Sequence, residues 1–149
     1  MVNQNKVVGD NNPQIKIGHW PQSLVIDSDK NRIYVANHDS DTVSVIDSNS
    51  GDVSDIPVGL HPLGIDPNIH RVYVANHDSG TVYVIDGNSN TNIRNITVGE
   101  NPTSIAVDDN VHKVYVTNSG SGTVSVIDTS TKKSWQELHL ILIYLIQDK

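Results

Sequence analysis

Short runs in which apolar and polar positions alternate, broken by clusters of Asn, Asp, Ser and Gly, make up most of the chain. Alternation with period two is the signature of a half-buried strand. The most regular stretch, Arg32–Asp47, returns as Arg71–Asp86 and as Lys113–Asp128. Its tyrosines, Tyr34, Tyr73 and Tyr115, stand 39 and then 42 positions apart. Each copy contains two alternating runs, one ending at Asn37, Asn76 or Asn118 and the next beginning at Thr42, Thr81 or Thr123. Two strands joined by four residues make a β-hairpin, with a left-handed residue expected just before the second strand. Gly80 and Gly122 occupy that place, and Asp41 substitutes for them in the first copy.

Two further strands flank each hairpin. Ile15–Gly18, Ile56–Gly59 and Ile96–Gly99 are copies of one short pattern, and each is followed by a proline, at Pro21, Pro62 and Pro102. Proline restricts its predecessor, so Trp20, His61 and Asn101 are expected to be extended. The next strand reads Ser23–Ile26 in the first unit, Ser104–Val107 in the third and only Leu63–Ile65 in the second. Loss of two residues there keeps the side-chain alternation that loss of one would invert. Polar turns follow at Asp27–Asn31, Asp66–Asn68 and Asp108–Asn110. Four strands at a period near 40 predict an all-β, β-propeller-like fold of about three four-stranded antiparallel blades. A β-sandwich has similar strand density but gives no reason for three near-identical hairpins at fixed spacing. The repeats span 13–130, in units of about 19–59, 60–99 and 100–141.

The run Val/Ile-Tyr-Val-Ala/Thr-Asn, followed by Thr-Val-Ser/Tyr-Val-Ile-Asp, resembles the YVTN-family β-propeller repeat of archaeal and bacterial surface-layer-type proteins. The resemblance covers roughly residues 14–130. It implies a scaffold or binding propeller, commonly of about seven blades, within the 4–8 that close a ring. Three blades form an incomplete ring, and open edges invite another chain. Two explanations stand side by side: a second copy completes a ring, or the sequence belongs to a longer propeller. After Asp128 the repeat is lost. Leu138–Ile141 falls where a fourth strand belongs, whereas Ser134-Trp-Gln-Glu137 matches a capping box ahead of a helix, so the 131–149 tail reads either as a strand or as a short helix. Residues 1–12 show no periodicity and read as a disordered arm.

Composition narrows the partners. Ten basic against seventeen acidic residues give a net charge of -7, which opposes polyphosphate backbones and excludes nucleic acid. Cysteine is absent, so thiolate catalysis and Cys-based metal centres are excluded. The apolar run Leu140–Ile146 is far below the ~20 residues of a membrane-spanning helix. The polar opening lacks the apolar centre of a secretory signal, which reads as cytoplasmic, although relatives of the repeat family are often at the cell surface.

Candidate chemistry divides between the two ends of the blades. One end collects His19, Trp20, His61 and Glu100 from the turns before the prolines, with His38, Asp39, Asp41, His77 and Asp78 from the hairpin loops. Imidazole and carboxylate together suit Zn²⁺ or a similar ion. The plainer reading is a polar hairpin whose Asp and Asn side chains bond the local backbone, since the loops sit on different blades and the third unit has Ser119-Gly120 instead. His19, Trp20, His38, Asp39, His61, His77, Asp78 and Glu100 are therefore assigned to a ligand- or partner-binding face, with no metal or cofactor. The other end carries Asp27, Asp29, Asp47, Asp66, Asp86, Asp108, Asp109 and Asp128, which read as turn formers because no calcium-loop spacing is present. No hydrolase, phosphate-loop or dinucleotide motif occurs, so no catalytic residue is assigned. The function expected is a non-enzymatic scaffold for protein or ligand interaction, including self-association through open blade edges. A metal-assisted lactonase- or lyase-like hydrolase is the alternative, by fold analogy alone.

Overall fold

The computed structural model describes residues 14–68, 71–130 and 140–144, with 65–68 and 140–144 described by backbone alone. The 1–12 arm and the Ser134–Glu137 capping box lie outside these residues. The described residues form twelve strands: β1 (Pro21–Asp27), β2 (Arg32–Asn37), β3 (Thr42–Asp47), β4 (Val53–Pro57), β5 (Pro62–Asn68), β6 (Arg71–Asn76), β7 (Thr81–Asp86), β8 (Thr91–Thr97), β9 (Pro102–Asp108), β10 (Lys113–Asn118), β11 (Thr123–Asp128) and β12 (Leu140–Tyr144). They form three four-stranded antiparallel sheets in simple order, β1-β2-β3-β4, β5-β6-β7-β8 and β9-β10-β11-β12. The fold is all-β and propeller-like, and the three blades leave the ring open. No helix among the described residues is long and apolar enough to cross a membrane.

The hairpin register is the same in each blade, with Asn37 opposite Thr42, Asn76 opposite Thr81 and Asn118 opposite Thr123. The residue before the second strand is left-handed in all three, Asp41 at φ 54°, Gly80 at φ 60° and Gly122 at φ 63°. Its carbonyl faces the outer strand's exit, where Asp41 O accepts Val58 N at 3.0 Å and Gly80 O accepts Val98 N at 3.0 Å.

The second unit corrects the expected shortening. β5 is a full seven residues, Pro62–Asn68, like β1 and β9. Asp66–Asn68, expected as a turn, instead pairs with Tyr73, Val72 and Arg71. The two missing residues come out of the connection to β6, which holds two residues where the other blades have four. Each inner strand also carries an irregularity just after its proline, between Pro21 and Ser23, Pro62 and Gly64, and opposite Thr117/Asn118. The tail is a strand where described: β12 pairs antiparallel with β11, Val124 opposite Tyr144, so the helix reading fails over Leu140–Tyr144. The Ile15–Gly18 copy forms only an isolated bridge at Ile15.

The core lies between blades. Tyr34, Ala36, Val43, Val45 and Ile56 of the first blade pack on Val72, Val74 and Ile85 of the second. The second then presents Tyr73, Ala75, Val82, Val84 and Ile96 to Ile105, Val114, Val116 and Ile127 of the third. Every blade thus has a tyrosine-bearing face and a receiving face, because successive side chains along a strand point opposite ways. At the ends of the stack these faces are only partly covered: Val35 and Ile46 stay buried, but the apolar residues beside them are open. Tyr34 and Tyr73 are 0% exposed, whereas Tyr115 is 36% exposed. On the first blade Leu24 and Ile26 are 60% and 59% exposed. They line a groove of about 460 Å³ with Ile15, Ile33, Val35 and Ile46.

Candidate functional site

The end of the blades that carries the hairpin loops is built by one repeated device. Trp20, His61 and Asn101 are left-handed, at φ 52°, 50° and 50°. The proline that follows does not hold them extended, contrary to the sequence expectation. The reason is non-local: each turns its carbonyl onto the hairpin loop of its own blade. His38 N donates to Trp20 O at 2.9 Å, His77 N to His61 O at 3.0 Å and Ser119 N to Asn101 O at 2.9 Å. One residue earlier, His19, Leu60 and Glu100 accept from Asp39, Asp78 and Gly120 at 3.3, 3.3 and 3.0 Å. Their own amides donate to Ser40, Ser79 and Ser121 Oγ at 2.6, 2.7 and 2.7 Å. Those serines went unnoticed as fasteners in the sequence. Their signal is that Ser is the third residue after the motif Asn in every copy.

The same device sets two side chains per blade next to each other, and neighbouring blades join these pairs into a strip. Trp20 is 63% exposed and tilts at 45° over His38, centroids 6.4 Å apart. His38 of the first blade stacks on His61 of the second, centroids 4.3 Å apart and planes within 5°. His61 Nδ1 lies 2.5 Å from Asp78 Oδ2, and His77 Nδ1 lies 2.5 Å from Asp78 Oδ1. Asn101 Nδ2 approaches His77 Nδ1 at 3.4 Å. Asp39 Oδ1 holds His38 Nδ1 at 2.6 Å, and Asp41 Oδ1 accepts His61 N at 2.9 Å, which ties the first two blades. Both imidazoles at Asp78, His77 first and His61 second, push its carboxyl below the ordinary range.

Six of the eight candidate residues, Trp20, His38, Asp39, His61, His77 and Asp78, are therefore brought into one strip. His19 and Glu100 lie exposed on the same end and enter through backbone groups. Loops from different blades do meet: one donor atom each from His38, Asp39 and His61 lies within 4.8 Å of the others. Asn101 belongs to the strip as well, a position marked in the sequence only as the residue before Pro102.

At the opposite end Asp47, Asp86 and Asp128 cap turns. Asp47 Oδ1 accepts Asn49 N and Ser50 N at 2.8 and 2.9 Å, and Asp86 Oδ1 accepts Asn88 N and Ser89 N at 2.7 and 3.0 Å. Asp128 Oδ1 accepts both the Ser130 hydroxyl and the Ser130 amide, at 2.5 and 2.8 Å. These two bonds, with Lys113 behind them, bring its carboxyl down to about 2. Inter-blade bonds add to this end: Arg32 donates to Gly87 O and, at 3.0 Å, to Asn90 Oδ1, which also accepts from Tyr34 OH at 3.3 Å.

No protein-family model matches the sequence, and no curated protein matches it. Solved structures do. A chain of hydrazine synthase from Kuenenia stuttgartiensis is similar at a TM-score of 0.69 and 24% identity, over 83% of this chain and 36% of that one. A functionally unknown protein from Desulfotomaculum acetoxidans is similar at a TM-score of 0.71 and 20% identity, over 87% of this chain and 43% of that one. The chain spans less than half the length of either. At these identities the likeness establishes the fold, a β-propeller-like stack of antiparallel sheets.

Proposed function

We propose that the protein is a non-enzymatic interaction scaffold built of YVTN-type repeats, whose end faces take up a further blade. The observation that carries this reading is that one repeated interface, closed between blades, has an exposed apolar rim at both ends of the stack, Leu24 and Ile26 at one and Tyr115 at the other. Ile33, Val35 and Ile46 stand where Val72, Val74 and Ile85 stand in the next blade, and Tyr115 stands where Tyr34 and Tyr73 are buried. A surface shaped like the receiving half of an interface, next to exposed Leu24 and Ile26, fits a partner that presents a tyrosine face. The third blade of a second copy presents one. Two copies joined head to tail at both ends contain twice three blades, and six falls in the range that closes a ring. The Trp20–His77 strip, raised on a rigid stack, is the second contact surface in this reading, suited to a small polar or aromatic ligand.

Light scattering tests the self-association. The expected result is a particle of twice 16.3 kDa at tens of micromolar, reduced to a monomer by Leu24→Asp. A wild-type chain that remains monomeric through that range overturns the second copy as occupant.

A further inference from the structure

The geometry points to a divalent transition-metal site, of the Zn²⁺, Ni²⁺ or Cu²⁺ class, formed by His38, Asp39 and His61 at the joint between the first two blades. Three observations converge on it. One donor atom from each residue already lies within 4.8 Å of the others, two nitrogens and an oxygen. Tetrahedral zinc with ligand bonds near 2.0–2.1 Å needs donors about 3.3 Å apart. The His38 and His61 rings stack with planes within 5°, so one part-exposed ring swings out of the stack to bring both lone pairs and the Asp39 oxygen onto one ion. The donor set is the borderline one that these ions prefer to Mg²⁺ or Ca²⁺.

The second observation is the tautomer. A carboxylate sits at Nδ1 of both imidazoles, Asp39 at 2.6 Å on His38 and Asp78 at 2.5 Å on His61. At His61 that contact places the ring proton on Nδ1 and the free lone pair on Nε2, the outer-shell pattern that orients metal-ligating histidines. At His38 the ion replaces the proton between Nδ1 and Asp39 Oδ1, 2.6 Å apart, so that both atoms become ligands. His77 in turn shares Asp78, which makes it a positioning residue for His61.

The third is an internal comparison. The next joint along the stack uses the same backbone device and keeps a histidine and an aspartate in its loop, His77 and Asp78, but sets Asn101 against His77, at 3.4 Å, where the first joint has His61. That joint has a single imidazole. The residues that assemble the donor set are thus the ones free to differ between copies, since the shared backbone bonds do not depend on them. Bound there, the ion ties the hairpin loop of the first blade to the turn of the second and keeps one coordination position open to water, as three-ligand zinc sites do. The inference stands independently of the scaffold reading, because self-association depends on the apolar end faces.

The test is zinc titration of the metal-stripped full chain by calorimetry, with metal content by mass spectrometry and melting followed in parallel. His61→Asn and His38→Ser are the informative variants, because Asn101 and Ser119 fill those positions in the third blade and the backbone already accepts them. The expected result is one ion per chain, a melting temperature raised by zinc, and affinity weakened more than about tenfold in either variant. His77→Ser is expected to weaken binding about tenfold while leaving one ion per chain. His112→Asn, in an exposed turn at the opposite end, is expected to change nothing. Absence of uptake of zinc, nickel and copper at 100-fold excess overturns the site, as does full affinity in the folded His38→Ser/His61→Asn double variant.

Discussion

At the scale of single residues, the conserved asparagine of each repeat acts as a seat. Asn37 and Asn118 are buried and donate to Thr42 and Ser44, and to Thr123 and Ser125, at 2.8–3.1 Å. In the second blade Tyr83 replaces that serine, and Asn76 makes only longer bonds, 3.4 Å to Thr81 and 3.5 Å to Val74 O. Onto each seat presses a glycine from the preceding outer segment. A Cβ on Gly99 meets Ser121 Oγ at 2.6 Å and Asn118 Cγ at 2.7 Å, whereas one on Gly122 meets nothing within 4 Å. Gly99→Ala is therefore expected to cost about 1–3 kcal/mol through overpacking. Gly122→Asn, which tolerates the left-handed backbone, should cost less than about 0.5 kcal/mol. Urea unfolding of the two variants checks the order. The glycines and asparagines were visible in the sequence as a repeat. Their contact was not, because it joins positions about twenty apart through the fold. The same scale fixes an acid response. Asp128 has a folded carboxyl depressed to about 2, first by Ser130. Its contribution to stability is complete above the ordinary carboxylate range and is lost as pH falls from about 4 through about 2. Ser130→Ala, which removes the hydroxyl bond and keeps the amide bond and Lys113, should raise the Asp128 carboxyl only part of the way to its ordinary value in an NMR titration and shift that loss to higher pH.

At the scale of elements, alternation made the hairpins legible, and β2–β3, β6–β7 and β10–β11 lie where their side-chain pattern puts them. Element ends were less legible where distant partners decide them. The second inner strand kept its length because β6 offers Tyr73, Val72 and Arg71 as partners to Asp66, Pro67 and Asn68, whatever the turn propensity of those residues. Likewise β12 forms on the free edge of β11, an edge that local helix-capping preference cannot register. Deletion of two residues, Asp29 and Lys30, from the turn of the first blade imitates the second blade. It should preserve the fold at a cost of about 1 kcal/mol, chiefly the exposed Lys30–Asn88 bond. Deletion of Leu24 alone inverts the facing of half of β1 and should abolish cooperative melting. Circular dichroism during thermal unfolding distinguishes the two outcomes.

At the scale of the whole molecule, burial depends on where a blade stands in the stack. Tyr73→Ala removes a side chain enclosed by two blades and is expected to cost about 3–5 kcal/mol. Tyr115→Ala, the same substitution in the same repeat position, should cost less, about 1–2 kcal/mol, at concentrations low enough for the chain to be monomeric, because its ring is only partly covered. Denaturant midpoints measured in dilute solution test that gradient. The left-handed turns at Trp20, His61 and Asn101 carry a consequence for variation. Their backbone shape is secured by carbonyl bonds that ignore the side chain, so an indole, an imidazole and an amide occupy one conformation. The row is consequently a keyboard: each blade contributes one key whose chemistry can be exchanged without retuning the frame, and recognition can drift by single substitutions while the fold stays still.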